Sequence, residues 1–421
     1  MNYDVVVVGA GLAGMFAGAL AARAGAQTLV TARGHGGLHV GTGCVDVWGY
    51  SHTEAAGRRV VNDPGAALGA LQEGGHPLAL AGAGAMAAGL RALQAMAAEA
   101  SYPLEGDLRR NHWLPTALGV GRPTCLAPES FLRGDLWRSE AMVLGDLVGF
   151  RDFQAHLAAA NLRRNGWAAR AVRLELPRLP VRREMFATDL ARLMDQPGYR
   201  EEVAERWRPM LHGVSRLGLP ALLGLKTPHE AWHDLSDRLG VAVFEIPIVP
   251  PSVPGMRLFS VLQGALEAAG GRVILGPGAR GWVEAGRARG VVLATAGGDR
   301  RCEARQIILA TGGFRHGGLV AARPGQARES VFELPVQIGP EWFAPLYWDD
   351  HPYARFGVRV NASMQPVDEG GRTMYENVYG VGGLAAGADR NSEGCREGVD
   401  LATAWKAVEQ MGLGIAGDGR R

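Results

Sequence analysis

The chain opens on Val5 to Val8, four apolar residues in a row that stop at Gly9. An unbroken apolar run of that kind predicts a strand covered on both faces, as in the middle of a parallel sheet. A helix is expected to follow over Leu12 to Ala24, with Gly25 ending it and Gln27 to Thr31 forming a second strand. Together they make one βαβ unit. Residues 34–51 then read as a Gly- and His-rich loop, residues 65–100 carry Ala- and Leu-rich helix signals, and residues 102–138 are rich in Pro, Gly and Arg.

A new α/β rhythm starts at Ala141. It predicts a strand to Val148, a helix over Asp152 to Arg164 capped by Asp152, and a strand over Ala169 to Leu176, and the inserted domain continues through Leu217 to Leu225 and Val241 to Ile248. The Pro-rich segment Pro247 to Pro254 closes it. After that come a helix over Met256 to Ala269, strands at Val273 to Leu275, Gly290 to Thr295, Gln306 to Thr311 and Val378 to Val381, and a last helix over Gly398 to Met411. The expected organisation is a first domain part at 1–140, an inserted α/β domain at 141–249 and a second part at 250–421. No internal repeat interrupts this order.

Composition narrows the classes. With 44 Lys plus Arg against 42 Asp plus Glu, the formal charge of +2 gives no reason to expect nucleic acid as a partner. Cys44, Cys125, Cys302 and Cys395 stand far apart with no Cys-x-x-Cys pair, which argues against a cysteine-ligated iron-sulfur or zinc site; no metal is expected. Met1-Asn2-Tyr3-Asp4 leads straight into the first strand without a basic, apolar leader, so a cytoplasmic chain is expected. The weakly polar stretch Leu78 to Leu90 falls short of the roughly 20 residues that span a bilayer.

Gly9-Ala10-Gly11-Leu12-Ala13-Gly14 lies between strand and helix, the context in which a G-x-G-x-x-G pattern binds a nucleotide phosphate. Gly9 permits the turn, Gly11 lets backbone approach an anion at the helix N-terminus, and Gly14 lets helix and strand pack closely. The acid that ordinarily holds the adenosine ribose at the end of the second strand is missing: the place reads Thr31-Ala32-Arg33, and Arg33 is expected to meet a phosphate instead.

Ile307-Ile308-Leu309-Ala310-Thr311-Gly312-Gly313 resembles the strand on which flavoproteins return beside the dinucleotide, and Asn377-Val378-Tyr379-Gly380-Val381-Gly382-Gly383 resembles their C-terminal strand and turn. The fold class is therefore α/β, a Rossmann-like FAD/NAD(P)-binding flavoprotein fold with an inserted α/β cap domain.

Asp152-Phe153-Gln154-Ala155-His156-Leu157, Pro250-Pro251-Ser252-Val253-Pro254-Gly255-Met256-Arg257-Leu258, Gly317-Gly318-Leu319-Val320-Ala321 and Phe356-Gly357-Val358 resemble, in order, segments of the B subunits of anaerobic glycerol-3-phosphate dehydrogenase. The resemblance implies a quinone-linked enzyme of three subunits. Its catalytic A subunit holds FAD and the substrate, its B subunit is a flavoprotein, and its iron-sulfur C subunit docks at the membrane. The B subunit would relay electrons from the catalytic subunit toward the iron-sulfur subunit and the quinone pool, peripheral on the inner face of the membrane and with no transmembrane segment of its own. FMN is the expected cofactor, with FAD as the alternative. The family's loop after the second strand corresponds to Thr42-Gly43-Cys44-Val45-Asp46, and its late Cys-Gly-Gly-Gly run to Cys395-Arg396-Glu397-Gly398.

The resemblance thus expects cofactor contacts from Gly9, Ala10, Gly11, Leu12, Ala13, Gly14, Arg33, Thr42, Gly43, Cys44, Thr311, Gly312, Gly313, Gly382 and Gly383. No catalytic residue is assigned. His156 reads as a satisfied polar residue, Arg257, Arg323 and Arg328 as candidates for phosphate or subunit contacts, and Trp342 to Trp348 as an interface patch or a local core. Two other readings use the same motifs: a stand-alone flavin oxidoreductase, and a flavin-free assembly scaffold.

Overall fold

The computed structural model describes residues 1–53, 57–71, 75–178, 185–323 and 325–414. The chain forms two compact units, one of Met1–Gly37, Asp46–Met96 and Val261–Arg421, the other of Leu38–Val45 and Ala97–Ser260. These limits differ from the expected 1–140, 141–249 and 250–421 because residues 38–45, 97–140 and 250–260 also pack with the second unit.

The first unit is organised by a seven-stranded sheet. Strand Asn2–Val8 lies at its centre, parallel to Thr28–Ala32 on one side and to Gly298–Leu309 on the other. Arg272–Leu275 extends the first side in parallel. Besides Asn2–Val8, strand Gly298–Leu309 serves two further neighbours along its length. Its first half folds back antiparallel on Arg287–Thr295, and its last residues, Ile307 to Leu309, pair in parallel with Val378–Gly380. Val5, Val6 and Val7 are fully buried, as the unbroken apolar run requires of a central strand. Helix Leu12–Arg23 has eleven of its twelve residues buried, so it too is apolar all round, sandwiched rather than lying at a surface. The last helix, Arg396–Gln410, packs against it.

The second unit holds a four-stranded sheet in the order Ala169–Leu174, Met142–Leu147, Arg216–Pro220, Ala242–Ile246, with every neighbour parallel. Helices Ala155–Arg164, Pro197–Trp207 and Pro228–Leu239 accompany it. Asp152 does not cap the first of these: the helix starts at Ala155, its N-cap is Gln154, and no side chain bonds its first turn. Phe153, buried in the core, carries the chain inward before the helix begins. The Pro-, Gly- and Arg-rich stretch resolves into short hairpins, His112–Pro115 with Gly121–Thr124 and Leu104–Glu105 with Ala127–Pro128. No helix among the described residues is long and apolar enough to cross a membrane.

Candidate functional site

The site is the edge of the first unit's sheet where its parallel strands end. Gly9 leaves the central strand with φ +122° and donates its N–H to the carbonyl of Thr31 at 2.8 Å. A Cβ at Gly9 would stand 2.1 Å from the carbonyl oxygen of Ala310, and one at Gly14 would stand 1.9 Å from that of Gly9. Both glycines are therefore required by close backbone approach. Gly11 differs. A Cβ there would find only the N atom of Gly37, at 3.9 Å, so there is room above its backbone.

Helix Leu12–Arg23 begins at that open place. Its N-cap is Gly11, no side chain bonds its first N–H groups, and its first turn contains no acid. The N–H groups of a first turn have no partner within the helix, and the aligned peptide dipoles place partial positive charge there. An uncapped N-terminus beside a bare backbone is a receptor for an anion such as a phosphate. Leu12 and Ala13, the first residues of the helix, bury their side chains. Gly36, at φ +61°, crosses closely enough that a Cβ on it would lie 2.9 Å from the N atom of Gly11.

The strands on either side end in threonines. Thr31 and Thr311 close the strands flanking Asn2–Val8, and the Oγ1 atom of each is buried without a hydrogen-bond partner. A buried hydroxyl in that condition costs on the order of 1–3 kcal/mol unless something else satisfies it. Two of them at the C-terminal ends of parallel strands coincide with the place where open α/β sheets bind ligands. Gly312, at φ +74°, and Gly313 turn the chain away from Thr311. The carbonyl of Gly383 lies 3.3 Å from where a Cβ of Gly313 would be. The structure thus brings Gly9 to Gly14, Thr311 to Gly313 and Gly382 to Gly383 to one edge.

At the last of these turns, the N–H of Gly382 donates to Oγ1 of Thr403 at 2.8 Å, tying the turn to the final helix. Arg390 lies against Gly383, and its Nη2 donates to Asp400 at 2.7 Å and to the carbonyl of Arg396 at 3.0 Å. Its Nε is buried and unpartnered. Asp400 in turn lies against Gly382. Burial pushes the Asp400 carboxyl up to about 6, against the pull of Arg390 in the other direction. His316 borders Gly312 and Gly37, and its pKa is held below the usual value by partial burial and by the charges of Arg390, Arg315 and Arg396.

Gly36, His316, Arg390, Asp400 and Thr403 lie outside the expected set of site residues. The Gly34-His35-Gly36-Gly37 run is the one sequence signal for the loop that crosses Gly11. Arg390 and Asp400 sit in no recognisable motif, yet they place a guanidinium and a carboxylate against the Gly382-Gly383 turn.

The other expected residues have the following surroundings. Arg33 is exposed, with its guanidinium 3.4 Å from the position a Cβ of Gly278 would take. Thr42, Gly43 and Cys44 belong to the second unit. There Gly43, at φ +74°, backs onto Pro254, Thr42 Oγ1 accepts from the N–H of Cys44 at 3.3 Å, and Cys44 is buried. Arg257 is no candidate for phosphate or subunit contacts. It is buried, donates twice to Glu245 at 2.8 and 3.0 Å, and gives its Nε to the carbonyl of Gly224 at 2.8 Å. Arg323 is exposed and Arg328 pairs with Glu333 at 2.8 Å. The His156 side chain is 72% exposed, 3.8 Å from Asp146. In the Trp342 to Trp348 segment, Trp342 packs on Phe356 while Phe343, Leu346, Tyr347 and Trp348 face outward. Gly394 and Gly398 each permit a close backbone approach, to Gly49 and Val47 respectively.

Comparison with known proteins agrees with this geometry. The family described as "FAD binding domain" matches residues 4–399. The B subunit of anaerobic glycerol-3-phosphate dehydrogenase from Pectobacterium atrosepticum is 33% identical, covering 98% of this chain and 99% of its own length. That of Pectobacterium carotovorum is 32% identical, with coverage of 98% and 99%. The corresponding protein of Halobacterium salinarum, named as a probable B subunit of the same enzyme, is 32% identical, with 96% of each chain covered.

Proposed function

Because the chain belongs to the FAD-binding domain family and, within it, to the B subunits of anaerobic glycerol-3-phosphate dehydrogenase, we propose that it is the flavin-holding relay subunit of such an enzyme. The chain is an oxidoreductase subunit with a Rossmann-like flavoprotein fold. On this reading the assembled enzyme oxidises sn-glycerol 3-phosphate to dihydroxyacetone phosphate and passes the electrons to a quinone. A separate catalytic subunit performs the substrate chemistry, and an iron-sulfur subunit receives the electrons at the inner face of the membrane. The chain itself is cytoplasmic, held there by its partners.

The observation that carries this reading is the set of buried, unpartnered polar atoms at one edge of the first unit: Oγ1 of Thr31, Oγ1 of Thr311 and Nε of Arg390. They surround an uncapped helix N-terminus with open backbone at Gly11. These groups suit a flavin nucleotide, which brings phosphate oxygens for the helix and hydroxyls for the threonines. The sequence points first to FMN. The family match speaks for FAD, and we take FAD as the cofactor, with Arg33 offering donors on the adenosine side where other chains offer an acid.

Bound FAD supplies the capacity to take electrons in a pair and give them up singly. The chain's own residues do the rest. The N–H groups at Gly11, Leu12 and Ala13 would hold a phosphate, beside the point where Gly36 crosses Gly11. Thr31 and Thr311 orient the bound group through their hydroxyls. Arg390, anchored by Asp400, holds positive charge beside the Gly382-Gly383 turn, and preorganised charge of this kind biases a nearby redox group toward its reduced, more negative form.

The test is reconstitution. The catalytic and iron-sulfur subunits together with this chain should couple glycerol 3-phosphate oxidation to quinone reduction. Replacement by a Gly11→Ala chain should abolish the coupling while the catalytic subunit still reduces an artificial acceptor. Coupling by those two subunits with this chain left out would overturn the relay.

A further inference from the structure

Helix Pro228–Leu239 of the second unit carries His229 and His233 four residues apart, which puts them on one face. The short helix Glu129–Leu132 begins with a carboxylate beside them. One ligand atom from each of Glu129, His229 and His233 lies within 4.8 Å of the other two. The imidazoles meet edge to face with centroids 4.5 Å apart, and Nε2 of His229 is 3.7 Å from Oε2 of Glu129. That separation is too long for a hydrogen bond. It suits two ligands of one ion, each about 2.0–2.2 Å from it.

We propose that Glu129, His229 and His233 form a binding site for a divalent transition-metal ion, zinc(II) by preference. Two neutral ring nitrogens and one carboxylate oxygen are a borderline donor set, suited to zinc, cobalt or nickel and unsuited to calcium or magnesium. Three protein ligands leave a fourth position to water.

The surroundings hold the donors ready. Oε1 of Glu129 accepts from Arg133 at 2.5 Å, which leaves Oε2 turned toward the histidines. Trp232 sits between the two imidazoles in sequence and packs against both, 5.7 Å from His229 and 4.3 Å from His233 by ring centroids. Its Nε1 donates to the carbonyl of Val243 at 2.7 Å, fixing the rotation of the helix. The His229 and Glu129 side chains are 35% and 21% exposed, so an ion has access from solvent.

The run His229-Glu230-Ala231-Trp232-His233 has the spacing of hydrolytic zinc helices, in which the central Glu is a general base. Here Glu230 turns instead to Arg200, at 3.0 Å. The site therefore binds and clamps, joining the Glu129 and Pro228 helices, and performs no hydrolysis. The other three-ligand cluster among the described residues, His76, Glu393 and Cys395, is committed elsewhere. Nδ1 of His76 accepts from the N–H of Leu78, and Glu393 pairs with Arg355 at 2.6 Å.

The experiment is a calorimetric titration of tag-free, chelator-stripped full-length chain with zinc chloride, beside His233→Ala, Glu129→Gln and the double variant His229→Ala/His233→Ala. His233 is exposed, so its loss leaves the fold intact, and circular dichroism checks this. The wild type should bind one more zinc per chain than the double variant, and each single variant should weaken that ion at least about 10-fold. A double variant that binds as many ions with the same affinity, or a wild type that takes up no zinc at about 1 mM, would overturn the proposal. Neither outcome bears on the flavin.

Discussion

Two buried polar centres, one in each unit, answer the same physical demand in opposite ways. In the second unit Arg257 and Glu245 are 2% exposed each and bond one another: the guanidinium gives two bonds to the carboxylate and a third to Gly224, while Glu245 is saturated by further bonds from Ser130 at 2.9 Å and from the N–H of Leu223 at 2.9 Å. In the first unit the hydroxyls of Thr31 and Thr311 and the Nε of Arg390 are buried with nothing to bond. A saturated centre holds a fold together and has no capacity left for a ligand. An unsaturated one, set around an uncapped helix N-terminus, costs the empty chain stability that a ligand restores.

That contrast can be broken by substitution. Arg257→Met should produce the largest effect, a loss of about 3–5 kcal/mol in denaturant unfolding, because it strands the Glu245 charge in the core. Flavin bound per folded molecule should not change. Gly11→Ala should do the reverse. With room for the methyl group, the chain should keep its melting temperature but bind flavin roughly 10–100-fold more weakly in a fluorescence titration, since the methyl fills the anion's place. Arg390→Ala should weaken flavin about 10-fold by removing one charge-assisted bond.

The smallest effect is in pH dependence. The Asp400 carboxyl titrates at about 6 in the folded chain against an ordinary 3.8, so the folded state keeps a proton that the unfolded chain has released. Its contribution to stability is present below 3.8 and disappears as pH rises through about 6. The melting temperature of the flavin-free chain should therefore fall across this window. Asp400→Asn should flatten the profile; an unchanged slope would mean that another group sets it.

The two centres also differ in how far they can be read from the residues in order. The glycine loop is legible because its function is local: strand, turn and helix follow one another within Val5 to Ala24, and each glycine answers a backbone need. The later strands are legible as apolar runs, although their ends shift by a few residues, as with Ala169–Leu174 against the expected Ala169 to Leu176. Arg257 misleads as a site candidate because nothing in its neighbourhood reveals that Glu245 waits on an adjacent element to absorb its charge. Arg390 and Asp400 escape notice for the same reason, since packing and not spacing sets them at the Gly382-Gly383 turn, Arg390 from the turn before the last helix and Asp400 from within that helix. The expected Asp152 cap fails because a buried Phe153 outweighs a favourable cap residue.

The most direct measurement is of the purified chain alone: its visible absorption, followed by release and identification of any bound flavin. A yellow protein carrying close to one FAD per chain, held more weakly in Gly11→Ala and kept per folded molecule in Arg257→Met, is the predicted result. A folded, colourless chain that takes up neither FAD nor FMN would contradict the account and leave the first unit's edge without a ligand.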